Sequence, residues 1–178
     1  MKKLLLFAFV SAVIFACTSP QTEEKKPEDT APVAPPPVEF ADQKYMEVGK
    51  KMLNAFQSGN MDAWMAVYAD NAVYQWNNGD SLANKAAIDE HWRKRRLETV
   101  DTIIFSNAIF LPVKVNQPQS VEAPGVWLLT WYQIDVTYHT GKKVVQWIHT
   151  DYHFDAADKI DRAIQYVDMA PIKAALGK

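Results

Sequence analysis

After residue 100 the chain changes its hydrophobic period from three-and-four to two, and it keeps the new period almost to the end. Thr102 to Val115, Val126 to His139, Lys143 to Phe154 and Ile160 to Asp168 are β-branched and aromatic runs that read as long strands. They are separated by Asn116 to Gly125, by Thr140-Gly141 and by Asp155 to Lys159. Such short connectors leave no room for crossover helices, so the four strands must pair as antiparallel hairpins.

Upstream of the switch, Tyr45, Val48, Met52, Leu53 and Phe56 recur at three and four. This predicts an amphipathic helix over about Ala41 to Ser58, stopped by Gly59 in a left-handed cap. Asn60 is placed to cap a second helix from Met61 to about Tyr68. Ala72 to Trp76 reads as a strand closed by the turn residues Asn77-Asn78-Gly79-Asp80, and Asn84 as the cap of a third helix through Leu97. Arg93-Lys94-Arg95-Arg96 points all round that helix and reads as a solvated basic end, with anion binding as the alternative. Helices preceding a run of long strands define an α+β domain with the helices on one face of a curled sheet.

Charge and cysteine content narrow the partners. Nineteen Lys and Arg against 21 Asp and Glu argue against a strongly basic nucleic-acid binder, so no nucleic-acid partner is expected. Cys17 is the only cysteine, which excludes a disulfide within the chain.

That cysteine ends a distinct segment. Met1-Lys2-Lys3 is basic, and Leu4 to Ala16 is an apolar run of secretory length, well short of the ~20 residues that span a bilayer. Ile14-Phe15-Ala16-Cys17 resembles the bacterial lipoprotein signal. The resemblance implies a signal peptide over 1–16, cleavage before Cys17, palmitate on Cys17 and a lipid anchor in the cell envelope. Thr18 stands where an Asp would retain the protein at the inner membrane, so outer-membrane placement is expected. Residues 17–39 hold six of the ten prolines and read as a Pro-rich disordered tether. At ~3.1 Å per residue such a stalk reaches roughly 60–70 Å.

The domain proper is expected over 40–178. Gly59-Asn60-Met61-Asp62-Ala63-Trp64, Tyr68-Ala69-Asp70-Asn71-Ala72-Val73, Asn84-Lys85-Ala86-Ala87-Ile88, Gly141-Lys142-Lys143-Val144 leading to His149, Asp158-Lys159-Ile160 and Gln165-Tyr166-Val167-Asp168 follow one another in order. Together they resemble the SnoaL-like branch of the nuclear transport factor 2-like superfamily across 41–170. The resemblance implies a cone: a strongly curved mixed or antiparallel sheet wrapped around three N-terminal helices, with a pocket at the wide end. It also implies a homodimer through the sheet, and Asp158 in a left-handed turn where related domains often carry glycine. It implies no particular reaction and no cofactor, because the fold hosts isomerases, dehydratases, cyclases and non-catalytic binders.

Candidate chemistry falls on one hairpin. A three-residue loop at His139-Thr140-Gly141 would place Trp131, Gln133, Asp135, Trp147, His149, Asp151 and His153 on one face. A two-residue Thr140-Gly141 loop would instead set Tyr132 and Ile134 beside Trp147 and His149. The first separates polar from apolar residues more cleanly. His149 is the candidate general base, with Asp135 or Asp151 orienting it. Trp76, Trp131, Gln133, Trp147 and Tyr166 are the expected contacts to a small apolar or aromatic ligand. No metal site is expected, since His149 and His153 lie roughly 13 Å apart by strand rise. The leading functional expectation is a tethered domain binding such a ligand or a protein partner. The alternative is an acid–base enzyme of isomerase, dehydratase or cyclase type on a cyclic carbonyl compound, with His149 as base.

Overall fold

The computed structural model describes residues 34–119 and 123–178. The expected signal segment, the lipidation site Cys17 and the tether up to residue 33 lie outside these described residues. Pro35–Lys178 forms one unit. Its elements are β1 (Val38–Phe40), α1 (Lys44–Ser58), α2 (Met61–Met65), β2 (Tyr68–Trp76), β3 (Ser81–Leu82), α3 (Lys85–Glu98), β4 (Val100–Val115), β5 (Gly125–Tyr138), β6 (Lys143–Phe154), β7 (Ile160–Tyr166) and α4 (Met169–Leu176).

The strands make one seven-stranded sheet in the order β1-β4-β5-β6-β7-β2-β3. All neighbours are antiparallel except β2 and β7, which run parallel and so join the two ends of the domain into one sheet. The expected α+β class, with helices on one face of a curved sheet, is what the chain adopts.

Three local devices set the sheet. The first is the turn between β5 and β6. Tyr138 N–H donates to Lys142 O at 2.9 Å, and Gly141 sits at φ 76. A side chain there would be strained, so glycine makes the three-residue loop possible. That loop pairs Trp131 with His149 and Gln133 with Trp147. The second is a bulge in β4, where the register shifts between Ser106 and Ile109. Asn107 takes φ 52 there, and its Nδ2 donates to Gln133 Oε1 at 3.1 Å. The extra residue reverses which side chains face inward: Ile103 and Phe105 before it, Phe110 and Pro112 after it. The third is Asp158, at φ 58 as expected, whose carboxylate accepts from Lys44 Nζ and Tyr45 Oη.

Helix α1 lies against β4 so closely that a Cβ at Gly49 would meet the Phe110 ring at 2.7 Å. It begins three residues later than its apolar pattern suggests, because Asp42 Oδ1 accepts from Lys44 N–H and Ala41 N–H donates to Pro112 O. Ala41 is thereby kept at the sheet edge and out of the helix. The same edge explains β1, which extends into residues read as tether. Prolines lack an N–H but their carbonyls still accept, so Pro36 and Pro37 can receive bonds from Asn116 and Gln117. The last expected strand stops at Tyr166, and Asp168 caps α4 by accepting from Ala170 N–H at 2.9 Å. The sequence reading contains no α4.

The core fills the inner face. Trp64, Trp92, Phe56, Tyr68 and Tyr74 form edge-to-face and tilted aromatic pairs with centroids 5.0–6.1 Å apart. Each such pair adds ~0.5–1.5 kcal/mol beyond simple burial. Among the described residues no helix is long and apolar enough to cross a membrane.

Candidate functional site

Between the helices and the inner sheet face the packing leaves a cavity of about 210 Å³. Its walls are aromatic and aliphatic: Phe56, Trp64, Tyr74, Trp76 and Trp92 on one side, Phe105, Tyr132, Ile134, Val136 and Ile148 on the other. Met169, Ile172 and Lys173 of α4 complete the wall. An apolar cavity of ~150 Å³ takes up benzene, so this one has room for one or two rings.

A buried polar row crosses the inner sheet face and reaches the cavity wall at Gln165 and Trp76. Thr130, Thr150, Gln165 and Trp76 are paired neighbours across β5, β6, β7 and β2. Thr130 Oγ1 donates to Thr150 O at 2.6 Å, Thr150 Oγ1 lies 3.0 Å from Tyr132 Oη, and Trp76 Nε1 donates to Gln165 Oε1 at 3.1 Å. Burial pushes the Tyr132, Tyr74 and Tyr152 phenols up, so at neutral pH they are uncharged hydrogen-bonding groups.

Charge enters from α3. His91 packs edge-on against Trp76 and Trp92, with centroids 5.3 Å from each. Desolvation, then the nearby Arg95 charge, hold its pKa below the ordinary histidine value. Arg95 lies over the Trp92 ring, its Cζ 5.7 Å from the ring centroid. Asp80 and Lys173 stand at the exposed rim.

Of the residues expected to act as base, orienting partner or ligand contact, only Trp76 reaches this cavity. The three-residue loop does bring Trp131, Gln133, Asp135, Trp147, His149 and Asp151 to one side, but that side is the outer face. Val136, Ile148 and Tyr152 take the inner one. The physical reason is that the helices need an apolar surface to pack on, so the apolar set goes inward and the polar-aromatic set goes out. The hollow is a gap in that apolar core and has an apolar lining. His149, Asp135 and Asp151 therefore do not form an acid–base group in the cavity. Nor do Trp131, Gln133, Trp147 and Tyr166 line it.

The outer face has an order of its own. Ile109, Trp131, His149 and Tyr166 are paired neighbours across β4, β5, β6 and β7. His149 is stacked on Trp131 at 4.5 Å between centroids and lies 5.3 Å from the Tyr166 ring. Its Nδ1–H donates to Thr130 O at 2.9 Å, and its Nε2 lies 2.9 Å from Asp151 Oδ1. That oxygen is buried and has no aligned hydrogen bond. Desolvation raises the Asp151 pKa, with His149 pulling the other way. Asp135 sits opposite Val145, two rows from His149, and cannot orient it. Gln133 braces the β4 bulge. Trp147 and Tyr166 border an open surface hollow beside Asn77 and Asp168. His153 is tied to Asp161 at 2.5 Å and to Pro124 O at 3.1 Å. Among the described residues no group of three or more His, Cys, Asp or Glu could hold a metal ion.

A curved mixed sheet closed over helices, with an apolar hollow at the helix side, is the cone fold of SnoaL-like and nuclear transport factor 2-like domains. Solved structures of the same fold include a provisionally assigned polyketide cyclase from Xanthomonas campestris pv. campestris, with a TM-score of 0.60 at 16% identity over 75% of this chain and 97% of that one. A provisionally assigned isomerase from Bacillus subtilis gives 0.60 at 18%, over 76% and 94%. An LEH-like epoxide hydrolase of M. tuberculosis gives 0.53 at 16%, over 75% and 90%. No family model and no curated protein matches the sequence.

Proposed function

We propose that the domain binds a small apolar or aromatic molecule in the inner cavity. The observation that carries this is a partly open, aromatic-walled space of about 210 Å³ whose wall carries a few polar side chains, Gln165 and the Tyr132 phenol among them. Few polar groups in an apolar pocket orient a ligand without dominating its affinity. Native mass spectrometry of protein purified from its own host is the test. A co-purifying molecule lost on cavity-filling substitution is expected, and wild-type protein carrying nothing and taking up no one- or two-ring aromatic compound contradicts the proposal.

One observation favours an enzymatic reading of the same cavity. His91 stands at the wall with a lowered pKa, which makes it a neutral imidazole available as a general base at pH 7. The solved neighbours named for cyclase, isomerase and epoxide hydrolase chemistry support that class. Turnover of a cyclic carbonyl compound that His91→Gln abolishes without weakening binding would establish it. Unchanged turnover in that variant would exclude His91.

We also propose that a second copy covers the outer face. Ile104, Ile109, Val145, Trp147 and Tyr166 are all about half exposed there, on neighbouring strands. An apolar patch of this kind suits a twofold, self-complementary contact. Envelope tethering through acylated Cys17 is proposed on the sequence alone. Palmitate labelling that Cys17→Ala removes is the expected result, and an unlabelled wild-type protein contradicts it.

A further inference from the structure

The three arginines at the end of α3 have unequal fates. Arg93 donates to Asp89 and Asp62, at 2.9 and 2.8 Å for its Nη2. Arg96 donates to the carbonyls of Phe56 at 2.8 Å and Gln57 at 2.7 Å. Arg95 lies in the cavity wall, and among the described residues no carboxylate comes within ion-pair distance of it. Its surroundings are the Trp92 ring and the buried Tyr138 phenol. Trp92 also carries a buried indole N–H with no acceptor. The three arginines therefore divide into two structural ones and one at the wall of a largely apolar hollow.

A guanidinium keeps its charge at any physiological pH and offers a planar fork of donors matched to a carboxylate. Set beside an apolar ring-sized space, such a group selects a ligand with an anionic end and an apolar body. We propose that the cavity takes a planar aromatic or cyclic carboxylate, its rings among Trp76, Trp92 and Ile148 and its carboxylate on Arg95. This rests on the cavity reading above and adds the chemical class of the ligand. Arg95 lowers the Tyr138 and Tyr74 phenols against the upward push of their burial, which places its field inside the cavity.

Calorimetric titration of the full chain in mild detergent, with detergent-matched blanks, separates the two claims. The probes are 2-naphthoate and its neutral isostere 2-naphthamide. Wild-type protein is expected to prefer the carboxylate by about tenfold or more, and Arg95→Met to lose that preference while still binding the amide. Equal affinity of wild-type protein for both probes overturns the carboxylate assignment alone. So does a preference that survives in Arg95→Met. Binding of neither probe removes the cavity reading, and the assignment with it. The wild-type comparison stands whether or not the variant folds.

Discussion

Two rows of side chains, one residue apart on the same strands, have opposite characters. On the inner face Thr130, Thr150 and Gln165 run to Trp76, hydrogen-bonded and buried. On the outer face His149 stacks on Trp131 and lies tilted beside Tyr166, which is nearly half exposed. The polar row is deepest and the aromatic row is outermost, the reverse of what composition suggests. The inner row is buried in the core and meets the cavity at Gln165 and Trp76, its hydroxyls and amide hydrogen-bonded. The outer row adds aromatic surface beside the half-exposed Ile109 and Trp147. An aromatic–histidine–carboxylate cluster is thus no sign of a pocket until the face it occupies is known.

The comparison yields a ranked set of expectations. The largest concerns stability. Trp92→Ala removes a nearly buried ring from the centre of the aromatic cluster and is expected to cost ~3–5 kcal/mol in chemical denaturation. Trp131→Ala on the outer face forfeits mainly its stack on His149, about 1 kcal/mol. Similar costs for the two would erase the distinction between the faces.

Next comes binding. Val136→Phe fills the cavity and is expected to weaken uptake of a two-ring ligand at least about tenfold, whereas His149→Ala should leave affinity within about twofold. Sensitivity to His149 instead would return the site to the outer face. For association, Val145→Asp places a charge in the exposed apolar patch. Sedimentation at micromolar concentration should show a wild-type dimer and a variant monomer, and a monomeric wild type contradicts the second-copy proposal.

The smallest effect is a pH dependence. Because desolvation raises the Asp151 pKa, its protonated form favours folding. That advantage is complete below the unfolded value of ~3.9 and fades as pH rises through the raised folded value. Asp151→Asn should therefore gain stability relative to wild type between pH 3 and pH 7, as read by thermal melts. A relative loss over that interval would mean that the His149 contact outweighs the burial.

Much of this architecture was legible in the chain, for identifiable reasons. The period-two runs are long enough to fix β4 to β7. Asn60, Asn84 and Gly59 are capping residues of ordinary type, and Gly141 made the correct hairpin register one of only two choices. The site was far less legible. Period two says which residues share a face but not which face looks inward, and that choice depends on helices packing from elsewhere in the chain. The bulge at Asn107 then reverses the alternation within β4 without a glycine to mark it. Helix α4 does carry a sequence signal: Asp168 as cap, the apolar positions Ile172, Ala175 and Leu176, and Gly177 at the end. Arg95 was hidden in a run of four basic residues, of which only the fold shows which one turns inward.

The most direct test of an inward-facing site uses the indole N–H signals of the tryptophans, assigned by single Trp→Phe substitutions. On titration with 2-naphthoate, Trp76 and Trp92 should shift while Trp131 and Trp147 stay in place. Shifts confined to Trp131 and Trp147 would put the ligand on the outer face and contradict the account.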